Sequence, residues 1–161
     1  MKLYHGSNIE VRAPDLSYSR ASLDFGKGFY LTPDLGQAGK WARHVTRFRR
    51  AGEPVISVFN LDEGALSALS VLRFASADKN WLHTVVAFRS GENSAAGDCD
   101  IITGPIANDR TVNVINQYIA GAFPEEIALQ LLLPFKLANQ WAIKTERALA
   151  ALDDFIRRSG S

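Results

Sequence analysis

The side chains equipped for ligand chemistry fall in three short stretches. His5 lies in "LYHGS" beside Gly6 and Ser7, Tyr30 closes the run "DFGKGFY" at 24–30, and Gln140 follows Asn139 in "NQWAIKT". An imidazole donates and accepts hydrogen bonds, a phenol adds an aromatic face, and a side-chain amide donates and accepts without charge. Polar groups of this kind at strand ends hold ligands on a rigid scaffold. Their separations along the chain leave open whether the three meet in space. Each also has a plainer use: His5 as a satisfied core histidine, Gly26 and Gly28 as a hairpin turn, Tyr30 as a packed strand aromatic. Asp109 and Arg110 in "GPIANDR" serve equally well as a loop-pinning ion pair or as groups facing a second substrate.

The surrounding pattern shows which elements must position these residues. "KLYHGS" has the character of a first strand, ended by the turn formers Gly6, Ser7 and Asn8. "GFYLT" predicts a short strand delivering Tyr30, followed by a helix start with Thr32 as hydroxyl N-cap, Pro33 at the first helical position and Asp34 as an acid in the first turn. Leu35, Ala38, Trp41, Ala42, Val45 and Phe48 recur at helical spacing, so the helix is expected to bury that stripe, Trp41 included. The β-branched run at 53–62 predicts a well-covered strand, while "GALSALSVLRF" is ambiguous. Ser76 is expected to cap a helix carrying Trp81, Leu82, Val85, Val86 and Phe88, ended by Ser90 and Gly91. "CDIIT" predicts a short buried strand; Val112, Ile115, Tyr118 and Ile119 predict a helix closed by Gly121, and Pro124 opens a shorter one through Leu133. "QWAIKT" predicts the last strand. Thr145 is then expected to cap a terminal helix lined by Ala148, Leu149, Leu152, Phe155 and Ile156. Strands and helices interspersed in this way indicate an α+β domain rather than a doubly wound sheet. One domain over 1–158, with a disordered tail at 159–161, is expected.

Composition narrows the classes. The 161 residues are 47% hydrophobic and 22% charged, enough for one ordinary core. Lys plus Arg number 18 against 17 Asp plus Glu, so no global bias draws the chain to nucleic acid or to an anionic membrane, although "RFRR" at 47–50 is locally basic. The single Cys99 excludes an internal disulfide and a cysteine zinc site, which suits a reducing compartment. The N-terminus lacks the apolar run of a signal peptide, and no stretch has the length of a membrane span, so no membrane partner and a cytoplasmic location are expected.

"LYHGS", then "FGKGFYLT", then a helix bearing "QAGKWA" resembles the first half of ADP-ribosyltransferase catalytic domains of the diphtheria-toxin and poly(ADP-ribose) polymerase type. With "DCDIITGPIANDR" and "NQWAIKTERAL" added, almost the whole chain resembles the small bacterial DUF3990 family, which is grouped with that fold. The resemblance implies two roughly orthogonal, mainly antiparallel sheets with flanking helices and an NAD-binding cleft between them, with NAD as co-substrate and no metal. By motif position, His5 would bond the nicotinamide ribose, the Gly6 backbone would hold the carboxamide, and the Tyr30 ring would stack on nicotinamide. Ser7, Gly26, Lys27, Gly28 and Thr32 would complete the cofactor cradle, with Lys27 toward the pyrophosphate.

One position departs from the transferase pattern. Such enzymes carry a late-strand glutamate, and Gln140 stands in its place. An amide keeps a hydrogen bond to the ribose but loses the charge aimed at the developing cation, a term worth roughly 2.7–4 kcal/mol of barrier. Replacing Gln140 by Glu is therefore expected to preserve or raise transfer. Asp100 and Asp109 are candidate auxiliary acids, Arg110 an acceptor-side group, and Glu146 a weaker stand-in suited to a helix start. The implied function is mono-ADP-ribosylation of a protein or nucleic acid, in the setting of a small intracellular toxin with a cognate antitoxin. The alternatives are a non-catalytic NAD or ADP-ribose module and an enzyme resembling RNA 2'-phosphotransferases, which would want more basic residues near His5.

Overall fold

The computed structural model describes residues 1–92, 95–107, 109–135 and 137–159, apart from the side chains of 95, 109 and 154–159. In chain order the elements are β1 (Lys2–Ser7), β2 (Phe29–Leu31), α1 (Leu35–Arg49), β3 (Val55–Leu61), β4 (Val71–Arg73), α2 (Lys79–Arg89), β5 (Ile101–Pro105), α3 (Asp109–Ile119), α4 (Glu125–Leu132), β6 (Asn139–Ile143), α5 (Glu146–Leu149) and β7 (Leu152–Ser159). The domain is α+β. One sheet has the order β1-β3-β7 and the other β2-β6-β5-β4. Every pairing is antiparallel except β4 with β5. Among the described residues a single bridge, Tyr4 opposite Thr32, links the two sheets through paired backbone hydrogen bonds of 2.8 and 2.9 Å.

Strand periodicity sorts the side chains into layers. On β3, Phe59 and Leu61 join Leu3 in a core shared with Phe29, Leu31, Ile101, Trp141 and Ile143 of the second sheet. The intervening Ile56 and Val58 face the other way and pack on Ala38 of α1. On the far face of the second sheet, Ile102 and Ala142 pack with Phe25, Trp81, Leu82, Val85, Ile115 and Leu132, under α2, α3 and α4. The order of layers is helix, sheet, sheet, helices.

Four sequence expectations are corrected here. The cap of α1 is Asp34, whose carboxylate accepts the Gln37 N–H at 3.0 Å, and that of α2 is Asp78, which accepts from Trp81 at 2.9 Å. Thr32 lies too early to cap α1: its hydroxyl donates to the Asn139 carbonyl at 2.9 Å and accepts from the Asp34 N–H. On α1 the buried face is Ala38, Gly39 and Ala42, while Trp41 is 53% and Phe48 72% exposed. The expected terminal helix is a single turn, α5, followed by β7, which pairs along β3 from Leu61 opposite Leu152 to Val55 opposite Ser159. A helical stripe was present in that segment, but β3 is the buried central strand of its sheet, and its second edge needs a partner. The ambiguous segment is a 3-10 turn followed by β4.

Candidate functional site: the gap between the first two strands

After the Tyr4–Thr32 bridge, β1 and β2 part into different sheets. Backbone groups of alternate residues on a strand point to the same side, so Gly6 and Tyr30 would form the next hydrogen-bonded pair if the ladder continued. It does not continue. His5 fills part of the opening instead: its Nδ1 lies 2.8 Å from the Tyr30 carbonyl oxygen, and its ring stacks on Phe29 at 4.5 Å. A carbonyl can only accept, so Nδ1 carries the hydrogen. Desolvation first, and the positive charge of Arg49 last, lower the His5 pKa, opposed by the Tyr30 hydrogen bond. The ring is then neutral near pH 7 and Nε2 is a bare acceptor. The Gly6 N–H and C=O and the Tyr30 N–H face the gap, where the ladder supplies them no partner.

Gly6 is set by close approach. A Cβ there would run into the Ala38 carbonyl oxygen of α1, so only glycine lets this helix lie against β1 beside the gap. Gly26, with φ +70°, is set by both conformation and space, since a Cβ would come within 2.5 Å of the Phe88 ring.

Tyr30 and Gln140 share the opposite face of the second sheet. The Tyr30 hydroxyl donates to the Gly26 carbonyl at 2.6 Å and accepts the Phe25 N–H at 3.1 Å. Burial, aided by the nearby Asp24 carboxylate, pushes its pKa far up, so the phenol stays protonated as a clamp on the 24–28 turn. Lys144 holds the same turn, donating to the Phe25 and Lys27 carbonyls. The Gly28 N–H donates to the Ser19 hydroxyl at 2.9 Å, and the Lys27 side chain is exposed.

Gln140 is buried, 6% exposed, with Nε2 donating to Asp24 Oδ2 at 3.1 Å and to the Pro105 carbonyl at 3.3 Å. Both partners only accept, which fixes the amide's orientation. Asp24, itself buried, also accepts from Arg89 at 2.5 and 3.1 Å and from the Ala107 N–H at 2.9 Å. This carboxylate is the organising group that sequence reasoning missed. An acid just ahead of "FGKGF" and an Arg closing a helix 65 residues later give no sequence signal of meeting.

The family described as "Protein of unknown function (DUF3990)" matches residues 1–153. The chain is a DUF3990 protein. No curated protein and no solved structure matches it.

Within this DUF3990 domain the expected catalytic trio divides. His5 lies between the sheets and meets Tyr30 through its main chain; the Tyr30 ring and Gln140 lie on the helix-covered side. Ser7 ends β1 opposite Val55, and the Thr32 hydroxyl is held by Asn139. Asp100 stands outside the gap. Gln140 pairs with Gly104 near one end of β5 and Asp100 precedes the other, about 13 Å along the strand. There it accepts from Arg147 first of all, then from the Ser70 N–H at 2.8 Å and the Thr145 hydroxyl at 2.7 Å, which together hold its pKa down at about 2. Glu146 sits exposed in the first turn of α5. Asp109 begins α3, two residues past Ala107, and its side chain lies outside the described residues; Arg110 beside it is exposed. Among the described residues no group of three or more His, Cys, Asp or Glu could hold a metal, and no helix is long and apolar enough to cross a membrane.

Proposed function

We propose that the chain binds the nicotinamide end of NAD at the β1–β2 gap and acts as a mono-ADP-ribosyltransferase. The observation that carries this reading is the complementarity of the open ladder position. The N–H and C=O of one extended residue, Gly6, match the acceptor and donor of a planar primary carboxamide. His5 Nε2 beside them is an acceptor for a ribose hydroxyl. In the transfer, the bond from ribose C1 to the nicotinamide nitrogen breaks and its electron pair leaves with nicotinamide. An acceptor nucleophile supplies the new pair to C1 and releases its proton to solvent. An intracellular toxin restrained by an antitoxin is the setting the family resemblance attaches to such a domain. A growth defect on expression, relieved by His5→Asn, is its expected sign.

A second reading, a non-catalytic NAD or ADP-ribose module, is favoured by one observation. Where charge would be required there is an amide, and the adjacent Asp24 carboxylate is already engaged by Arg89, Ala107 and Gln140. Thermal unfolding with NAD, ADP-ribose and nicotinamide, followed by chromatography for released nicotinamide, separates the two. Ligand at about a hundred times its Kd adds about 2.7 kcal/mol, a rise in Tm of roughly 5–10 °C. His5→Asn keeps a donor for the Tyr30 carbonyl and removes the Nε2 acceptor, so it should abolish the NAD shift, while loss of the ring stacked on Phe29 lowers the unliganded Tm by a few degrees. A shift without nicotinamide release selects the module; no shift by any of the three ligands ends both readings.

A further inference from the structure

The helix that lies against Gly6 turns an unusual face to solvent. Five of the chain's 18 basic residues and none of its 17 acidic ones fall between residues 40 and 50. Helical spacing sets Lys40, Arg43 and Arg47 in one row, about 10 Å long, and Arg50 follows it as the left-handed C-cap of the helix. Trp41, His44 and Phe48 form a second row beside it. All seven are exposed, and the Trp41 and His44 rings are stacked at 5.3 Å with 21° between planes, a flat ledge open on one side. This is the opposite of what the core requires, because Ala38, Gly39 and Ala42 already supply the packing face.

We propose that this face of α1 docks single-stranded nucleic acid, the cationic row following the phosphates and the aromatic row stacking on bases. A row of positive charge with no interposed acid complements a polyanion, and base stacking on aromatic side chains is the mode that tolerates any sequence. A helix lying on an anionic membrane segregates its Trp, Phe and Leu onto the face opposite its cations, and here the row of Trp41, His44 and Phe48 runs directly beside the cationic row. The helix that carries the stripe packs on β1 at Gly6 by its other, small-residue face, and Arg49 of the same helix is near enough to lower the His5 pKa. As a binding surface the proposal stands alone. As the acceptor platform, which selects nucleic acid over protein, it rests on the transferase reading.

The test uses the full chain without NAD, titrated with single-stranded RNA and DNA of about 12 nucleotides. Trp81 is fully buried and Trp141 is 7% exposed, so quenching of intrinsic fluorescence reports Trp41. Saturable quenching that Trp41→Phe removes is expected. Trp41→Ala should weaken binding about tenfold or more. Lys40→Gln with Arg47→Gln and Arg50→Gln should make the logarithmic salt dependence shallower by about two. His5→Asn should bind oligonucleotide like the parent while losing the NAD shift, so failure of either proposal is visible separately. The proposal is overturned by an absence of saturable quenching, by affinity unchanged in Trp41→Ala and the triple variant, or by competition from anionic vesicles or polyglutamate equal to that of oligonucleotide. Equal affinity for duplex DNA would overturn the stacking component.

Discussion

At the scale of single residues, the contacts of Gln140 reverse the expectation drawn from the transferase pattern. A glutamate there would lose both donated hydrogen bonds and set its carboxylate against Asp24 Oδ2, now 3.1 Å from Nε2. Gln140→Glu should therefore cost about 3 kcal/mol at pH 7 rather than speed a reaction. The repulsion raises the folded-state pKa of one carboxyl of the pair above its unfolded value. The penalty is thus full above that raised pKa and relieved as pH falls below it, so the difference in Tm from the parent should shrink between pH 7 and pH 5. A variant as stable as the parent at pH 7 would show that Asp24 is not held where the hydrogen bonds place it. The local reason is legible only in three dimensions. "NQW" gives the side chain its place on a strand, but its partners come from positions 24, 89, 105 and 107, which no spacing rule connects.

At the scale of elements, the turn at 24–28 is held by Tyr30 of β2 and by Lys144, the residue after β6. Tyr30 clamps it through a hydroxyl, and Lys144 does so through an ammonium over the Phe88 ring at 4.6 Å. Desolvation lowers the Lys144 pKa to about 8. The native state then binds fewer protons than the unfolded chain between about pH 8 and the ordinary lysine value near 10.4, so this group makes stability rise with pH across that window. Lys144→Met keeps much of the stem and removes the titration. The stability of the parent minus that of the variant, from urea unfolding, should grow between pH 8 and pH 10; a constant difference would mean the ammonium is fully solvated. Here the sequence was informative about kind and poor about boundary. The first helix was legible from its periodicity, but its cap was not, because Thr32, Pro33 and Asp34 all carry start signals and only the tie of Thr32 to Asn139 excludes the first. Periodicity likewise could not tell that Trp41 faces water, since small residues on the neighbouring stripe let the backbone of α1 approach β1 directly.

At the scale of the whole molecule, the two sheets close into one layered body only because β7 returns to β3 after the single turn of α5. Without it the central, almost wholly buried strand Val55–Leu61 would present an open edge. No local signal distinguishes this outcome, since Leu152, Phe155 and Ile156 suit a helix stripe as well as a strand, and the choice is made by an edge nearly 100 residues away in sequence. Ladder parity turns this into a decisive experiment. Tyr4 bonds β2, so His5 and its partner Ser57 bond each other, and Ile56 and Val58 point their backbone groups at β7. The N–H of Arg158, opposite Ile56, therefore lies inside the ladder, while that of Arg157, opposite Ser57, points away from β3. Arg158→Pro should lose a ladder bond and cost about 3 kcal/mol, a fall in Tm of roughly 6–12 °C, whereas Arg157→Pro should be tolerated to within a few degrees. A terminal helix would be broken by either proline, so equal damage from the two substitutions would refute the strand and, with it, the closure of the first sheet that holds β1, His5 and the gap in place.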